Sequence, residues 1–124
     1  MSKILIVEDN EENRILLKQI LNHCGYEILE ASDGRSGIES AGGNEPDMVL
    51  LDLQLPVMDG FAVIKELKKI PALGNMKIIA ITAFAMKGDR EKAIAAGFDE
   101  YITKPIDTRM LPCIIKDILS EVKS

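Results

Sequence analysis

Short apolar runs alternate with amphipathic stretches along almost the whole of this 124-residue chain. The runs are Lys3–Glu8, Tyr26–Ala31, Asp47–Leu51, Lys77–Ile81 and Phe98–Thr103. They are too short for buried helices and rich in isoleucine, leucine and valine, as strands buried on both faces are. Between them lie segments with helical periodicity. Glu11–Cys24 sets Leu16, Leu17, Ile20, Leu21 and Cys24 on one face. Phe61–Lys69 does the same with Phe61, Ile64 and Leu67. Asp33–Ala41 and Ala85–Ala96 predict two further helices, and a stripe from Leu111 to about Val122 predicts the last. Strands that alternate with helices predict βαβ units: an α/β fold with one five-stranded parallel sheet and helices on both faces. The length suits one domain, residues 1–124, with a real core.

Local signals place the boundaries. Gly25 and Gly97 stand where helices stop, Gly42-Gly43 follows the second helix, and Pro71 ends the third. Gly88 falls inside the fourth predicted helix, which it should soften. Pro112 interrupts the last amphipathic pattern. Proline there predicts a kink, or a helix that starts near Met110–Leu111 with proline in its first turn.

The ends of the runs carry the chemistry. Asp9 follows the first, Asp52 the third, Thr82 the fourth, and Lys104 closes the fifth just before Pro105. In a parallel sheet all four reach the C-terminal edge, where open α/β sheets bind ligands. Carboxylates, a hydroxyl and an amine converging there suit a divalent cation and a phosphoryl group. Taken singly, each residue also has a structural reading. Asp9 or Asn10 can cap the first helix, Thr82 can simply finish a strand, and Lys104 can be a surface lysine.

Composition narrows the function classes. A formal charge of −5 argues against binding nucleic acid through a basic surface. No apolar run approaches the roughly 20 residues of a membrane span. The strand-like run begins at Lys3, so no signal peptide is expected and a cytoplasmic setting is. Cys24 and Cys113 are isolated, with no CxxC, and read as reduced core thiols. His23 is the only histidine and sits near a helix end, which points to a solvated or dipole-facing role rather than catalysis.

Five stretches in this order carry a family resemblance: Ile4–Asn10 (ILIVEDN), Asp47–Asp52 (DMVLLD), Leu55–Gly60 (LPVMDG), Ile81–Ala83 (ITA) and Tyr101–Pro105 (YITKP). Together they resemble the receiver domains of two-component response regulators. The resemblance implies the flavodoxin-like strand order 2-1-3-4-5. It implies Asp52 as phosphoacceptor, and Mg2+ held by Asp9 and Asp52, by Glu8 through water and by the backbone carbonyl of Gln54. Glu8 stands where the family more often has aspartate. Thr82 and Lys104 would meet phosphoryl oxygens, and the Lys104-Pro105 peptide would be cis. Thr82 would move on phosphorylation, and Tyr101 would turn from exposed to buried behind it. Gln54 and Phe84 would border the phosphate. The phosphodonor would be a histidine kinase or histidine phosphotransferase meeting the first helix, and the output a protein docked on the fourth helix, fifth strand and fifth helix. Nothing follows the last helix, so no output domain is expected. Thr82–Asp89 (TAFAMKGD) further resembles the DivK type of single-domain regulator.

Other readings make distinct demands. A phosphorylation-independent pseudo-receiver predicts a damaged acidic site, whereas Asp9, Asp52, Thr82 and Lys104 are all present. A phosphatase of the haloacid-dehalogenase type needs a second aspartate two residues after the nucleophile, where Gln54 stands. A flavin carrier needs a Ser/Thr/Gly-rich phosphate loop where Glu8–Glu12 (EDNEE) stands.

Overall fold

The computed structural model describes residues 2–83 and 86–120. Five strands, β1 (Lys3–Val7), β2 (Glu27–Ala31), β3 (Met48–Asp52), β4 (Lys77–Thr82) and β5 (Glu100–Thr103), form one sheet in the order β2-β1-β3-β4-β5. Every pairing is parallel. The helices are α1 (Glu11–His23), α2 (Gly34–Asn44), α3 (Gly60–Leu67), α4 (Asp89–Ala96) and α5 (Leu111–Ser120), with a short 3-10 turn at Pro71–Leu73 that the sequence reading did not anticipate. The α/β class and the strand order are those expected.

Successive strand residues face opposite ways, so the sheet has two cores. Leu5, Val7, Val49, Leu51, Ile78 and Ala80 pack on one face with Ala41, Val63, Ile64, Leu67 and Ala93 of α2, α3 and α4. Ile4, Ile6, Met48, Leu50, Ile79 and Ile81 pack on the other with Leu17, Leu21, Leu111, Ile115 and Ile118 of α1 and α5. Full burial of such side chains contributes roughly 1.5–3 kcal/mol each, which is why the inner strands hold their register.

Several boundaries differ from the sequence reading. Helix α2 runs through Gly42 and Gly43 and ends where Glu45 turns left-handed (φ 46). Gly37 lets it lie close to the sheet, since a Cβ there would come within 2.9 Å of Val7 Cγ2. Helix α3 begins at Gly60, buries Val63 with Ile64 and Leu67, and leaves Phe61 partly exposed with its ring edge-to-face on Phe98. Helix α4 starts at Asp89, and Gly88 precedes it at φ 89, so the glycine sets the entry to the helix. The expected start at Ala85 and end at Val122 lie outside the described residues. Strand β5 is shorter than expected, with Phe98 buried in the turn before it.

Cys24 and Cys113 are exposed, which corrects their assignment to the core. Cys24 caps α1 one turn beyond Leu21, and Cys113 lies on α5 away from buried Leu111 and Ile115. Leu16 is likewise largely exposed. Pro112 is the second residue of α5, so the alternative with proline in the first turn holds. A proline there costs nothing, because its missing N–H would have no partner within the helix.

Candidate functional site

The sheet places the site. Strand β1 lies between β2 and β3, so the chain leaves its end one way to α1 and returns on the other side to β3. Such a reversal opens a crevice at the carboxyl ends of the central strands. Glu8 and Asp9 follow β1 there, Asp52 ends β3, Thr82 ends β4, and Lys104 follows β5. Backbone hydrogen bonds carry the ladder past the strand ends: Glu8 N–H to Ala31 O at 3.0 Å, Leu53 N–H to Ile81 O at 2.8 Å and Lys104 N–H to Thr82 O at 2.8 Å. Glu8, Asp52 and Lys104 are therefore held by the sheet itself. The peptide bond between Lys104 and Pro105 is cis.

Glu8, Asp9 and Asp52 each bring a carboxylate oxygen within 4.8 Å of the others. Glu8 and Asp52 are almost wholly buried, at 1% and 3% exposure, and Asp9 is exposed. Asn10 caps α1 through its side chain, so Asp9 is not used as the cap. Lys104 answers the buried charge, its Nζ lying 2.8 Å from Glu8 Oε1 and 3.1 Å from Asp52 Oδ2. The contact with Asp52 is a hydrogen bond. That with Glu8 Oε1 is an ion pair, and this oxygen has no other hydrogen-bond partner among the described residues. Glu8 Oε2 accepts from Asn10 N–H at 3.1 Å, and the Glu8 carbonyl accepts from Arg14 Nη1 at 2.9 Å.

Burial pushes the Glu8 carboxyl up to about 7, and the neighbouring Asp52 adds to the shift. Lys104 and the Asn10 N–H oppose it. For Lys104, burial alone would favour the neutral amine, but Glu8 and Asp52 outweigh it and raise its pKa, keeping it cationic. One ammonium paired with two of three clustered carboxylates leaves net negative charge at the site. A buried Glu8 oxygen whose close donor among the described residues is Lys104, beside two more carboxylates, is a hard-oxygen donor set of the kind that suits Mg2+.

Gln54 contributes more than its backbone. Its N–H donates to Asp52 Oδ1 at 2.9 Å, its side-chain amide donates to Thr82 Oγ1, and its side-chain carbonyl accepts from Ala83 N–H at 3.0 Å. Position two after Asp52 was legible in the sequence, but this bridge between β3 and β4 was not. Asp59 caps α3 by accepting from Ala62 N–H, as a helix-start residue should. Val57 holds the positive φ of 67° in the loop after Asp52, a conformation expected of a glycine rather than a β-branched residue. Gly60 serves close packing, since a Cβ there would come within 2.8 Å of the Leu53 Cα. Tyr101 is already half-buried against the α2–α3–α4 core, and its hydroxyl is occluded without a hydrogen-bond partner among the described residues. The exposed starting position expected for it is not the one observed. His23 lies exposed in the last turn of α1. Phe84 lies outside the described residues.

Comparison with known proteins agrees with this geometry. The family described as "Response regulator receiver domain" matches residues 4–116. The chain is 39% identical over 118 residues to the polar-differentiation response regulator DivK of Brucella anthropi, covering 95% of this chain and 96% of that one. It superposes on the receiver domain of a Pseudomonas aeruginosa sensor histidine kinase, solved with a magnesium ion in the active-site cleft, with a TM-score of 0.87, 34% identity and coverage of 96% and 98% of the two chains. A CheY-like receiver domain protein from Methanospirillum hungatei gives a TM-score of 0.91 at 32% identity, over 99% and 97% of the two chains. With a receiver fold, an acidic pocket at the sheet's reversal and similarity along nearly its whole length, this chain belongs to the response-regulator receiver domains, the phosphoacceptor switches of two-component signalling.

Proposed function

We propose that residues 1–124 act as one cytoplasmic receiver domain that takes a phosphoryl group from a phosphohistidine onto Asp52 and passes the signal on by docking to another protein. The observation that carries this is the placement of Asp52, nearly buried, with Lys104 Nζ at 3.1 Å and the carboxylates of Glu8 and Asp9 beside it. The donor would be a histidine kinase or histidine phosphotransferase, and no nucleic acid or membrane takes part. Asp9 and Asp52 would hold Mg2+ directly, with Glu8 acting through water and the Gln54 carbonyl completing the protein's share. When bound, the cation neutralises charge on the transferring group.

A carboxylate oxygen of Asp52 forms the new bond to phosphorus as the phosphorus–nitrogen bond of the donor breaks, and the freed imidazole keeps the electron pair. Asp52 is suited to this because a carboxylate needs no base to be nucleophilic. Lys104 would pair with one phosphoryl oxygen and the Thr82 hydroxyl with another. Thr82 and Tyr101 would then carry the change to the α4–β5–α5 face, through a shift between two existing arrangements. The half-buried Tyr101 needs a smaller movement than an exposed ring would.

Intact-mass measurement after incubation with acetyl phosphate and Mg2+ tests the assignment. One phosphoryl adduct is expected in the wild type and none in Asp52→Ala. An adduct on both proteins would place the acceptor elsewhere, and failure of the wild type to accept phosphoryl or to bind beryllofluoride would favour the pseudo-receiver.

A further inference from the structure

Resting on the phosphoacceptor reading of Asp52, we propose that the Gln54 side chain is a latch that holds the β4 end in the unphosphorylated arrangement and must be released for the switch to turn. Three observations converge on it. The carboxamide reaches from the end of β3 to the end of β4 and makes two hydrogen bonds there, to the Thr82 hydroxyl and the Ala83 N–H. The same residue's backbone N–H donates to Asp52 Oδ1, so the latch is anchored on the phosphoacceptor itself. Its orientation is dictated by chemistry: the Ala83 N–H can only donate, so the amide oxygen must face it, and the NH2 is left to donate to Thr82 Oγ1.

This arrangement opposes the switch. Thr82 is the residue whose hydroxyl must turn towards an acceptor on Asp52. Where it stands, it is tied through Gln54 to the next backbone amide, so movement of either group breaks the bridge. Among the described residues the Gln54 side chain makes no other hydrogen bond. Its side chain is exposed and outside both hydrophobic cores. A methionine there would keep the length and most of the bulk and lose both hydrogen bonds. One of these hydrogen bonds is part-buried and the other exposed, and at a few-fold each the pair biases the switch by about tenfold.

The test is a titration with beryllium in excess fluoride at saturating Mg2+, which forms a tetrahedral phosphoryl mimic on the acceptor carboxylate. Wild type, Gln54→Met and Gln54→Ala are compared, with binding followed by amide shifts in nuclear magnetic resonance spectra. Both substitutions keep the backbone carbonyl. Both variants should bind about tenfold more tightly than the wild type, and the Ala83 amide should exchange with solvent about tenfold faster in each ligand-free variant. Wild-type affinity or weaker in Gln54→Met overturns the latch. Tighter binding in Gln54→Ala alone also overturns it, since the bulk of the side chain would then be what matters. No binding by any of the three proteins would overturn the phosphoacceptor reading, a result distinct from either failure of the latch.

Discussion

Magnesium affinity should rise about tenfold between pH 6 and pH 8, and Glu8 is the reason. Its carboxyl is pushed up to about 7 by burial and by Asp52. About one-tenth of it is then ionised at pH 6 and about nine-tenths at pH 8, a ninefold to tenfold change in the fraction ready to face a cation. An unperturbed glutamate would be fully ionised across that range and would give a flat profile. The metal-free protein should show the linked effect on stability. Because folding raises the pKa of Glu8 from 4.5 to about 7, the folded state binds its proton more tightly than the unfolded chain does. The stability this contributes is complete below about pH 4.5 and is lost as pH rises through about 7. Lys104 works in the same sense at much higher pH, since its pKa is raised too. Calorimetric titration with Mg2+ at fixed ionic strength, at half-unit steps of pH, reads the affinity directly. Glu8→Gln should bind more weakly and lose the pH dependence between 6 and 8. A wild-type affinity that is flat or falls over this interval would refute the reasoning, because it would mean that Glu8 is ionised throughout or does not face the cation.

Further outcomes follow from single contacts. Lys104→Met leaves Glu8 and Asp52 buried without their cation, so the metal-free protein should lose about 3–5 kcal/mol in urea unfolding, with part of the loss recovered on adding Mg2+. Gly60→Ala puts a Cβ 2.8 Å from the Leu53 Cα, a backbone atom that cannot rotate away, and should cost about 1–3 kcal/mol while shifting the amide resonances of the loop beside Asp52. Glu45→Gly removes left-handed strain from an exposed residue and should raise the thermal midpoint, with a gain of up to about 1 kcal/mol.

The sequence alone determined the architecture and the site's membership. Buried parallel strands announce themselves as apolar runs, because both of their faces must be covered, and the residue that ends each run has to lie on the carboxyl edge. That is why Asp9, Asp52, Thr82 and Lys104 could be placed together before any coordinates. Helix faces were less legible: Leu16 and Cys24 fit a helical stripe yet are exposed, because what decides burial is the neighbouring element a stripe meets. Tertiary structure also decided how the site behaves. The raised pKa of Glu8 depends on how little water reaches it and on Asp52 beside it, 44 positions along the chain. The Gln54 bridge needs β3 and β4 to end at the same height, which their register sets, and the occlusion of the Tyr101 hydroxyl depends on packing against distant helices. These are properties of distances between residues remote in sequence, and no local pattern encodes a distance of that kind.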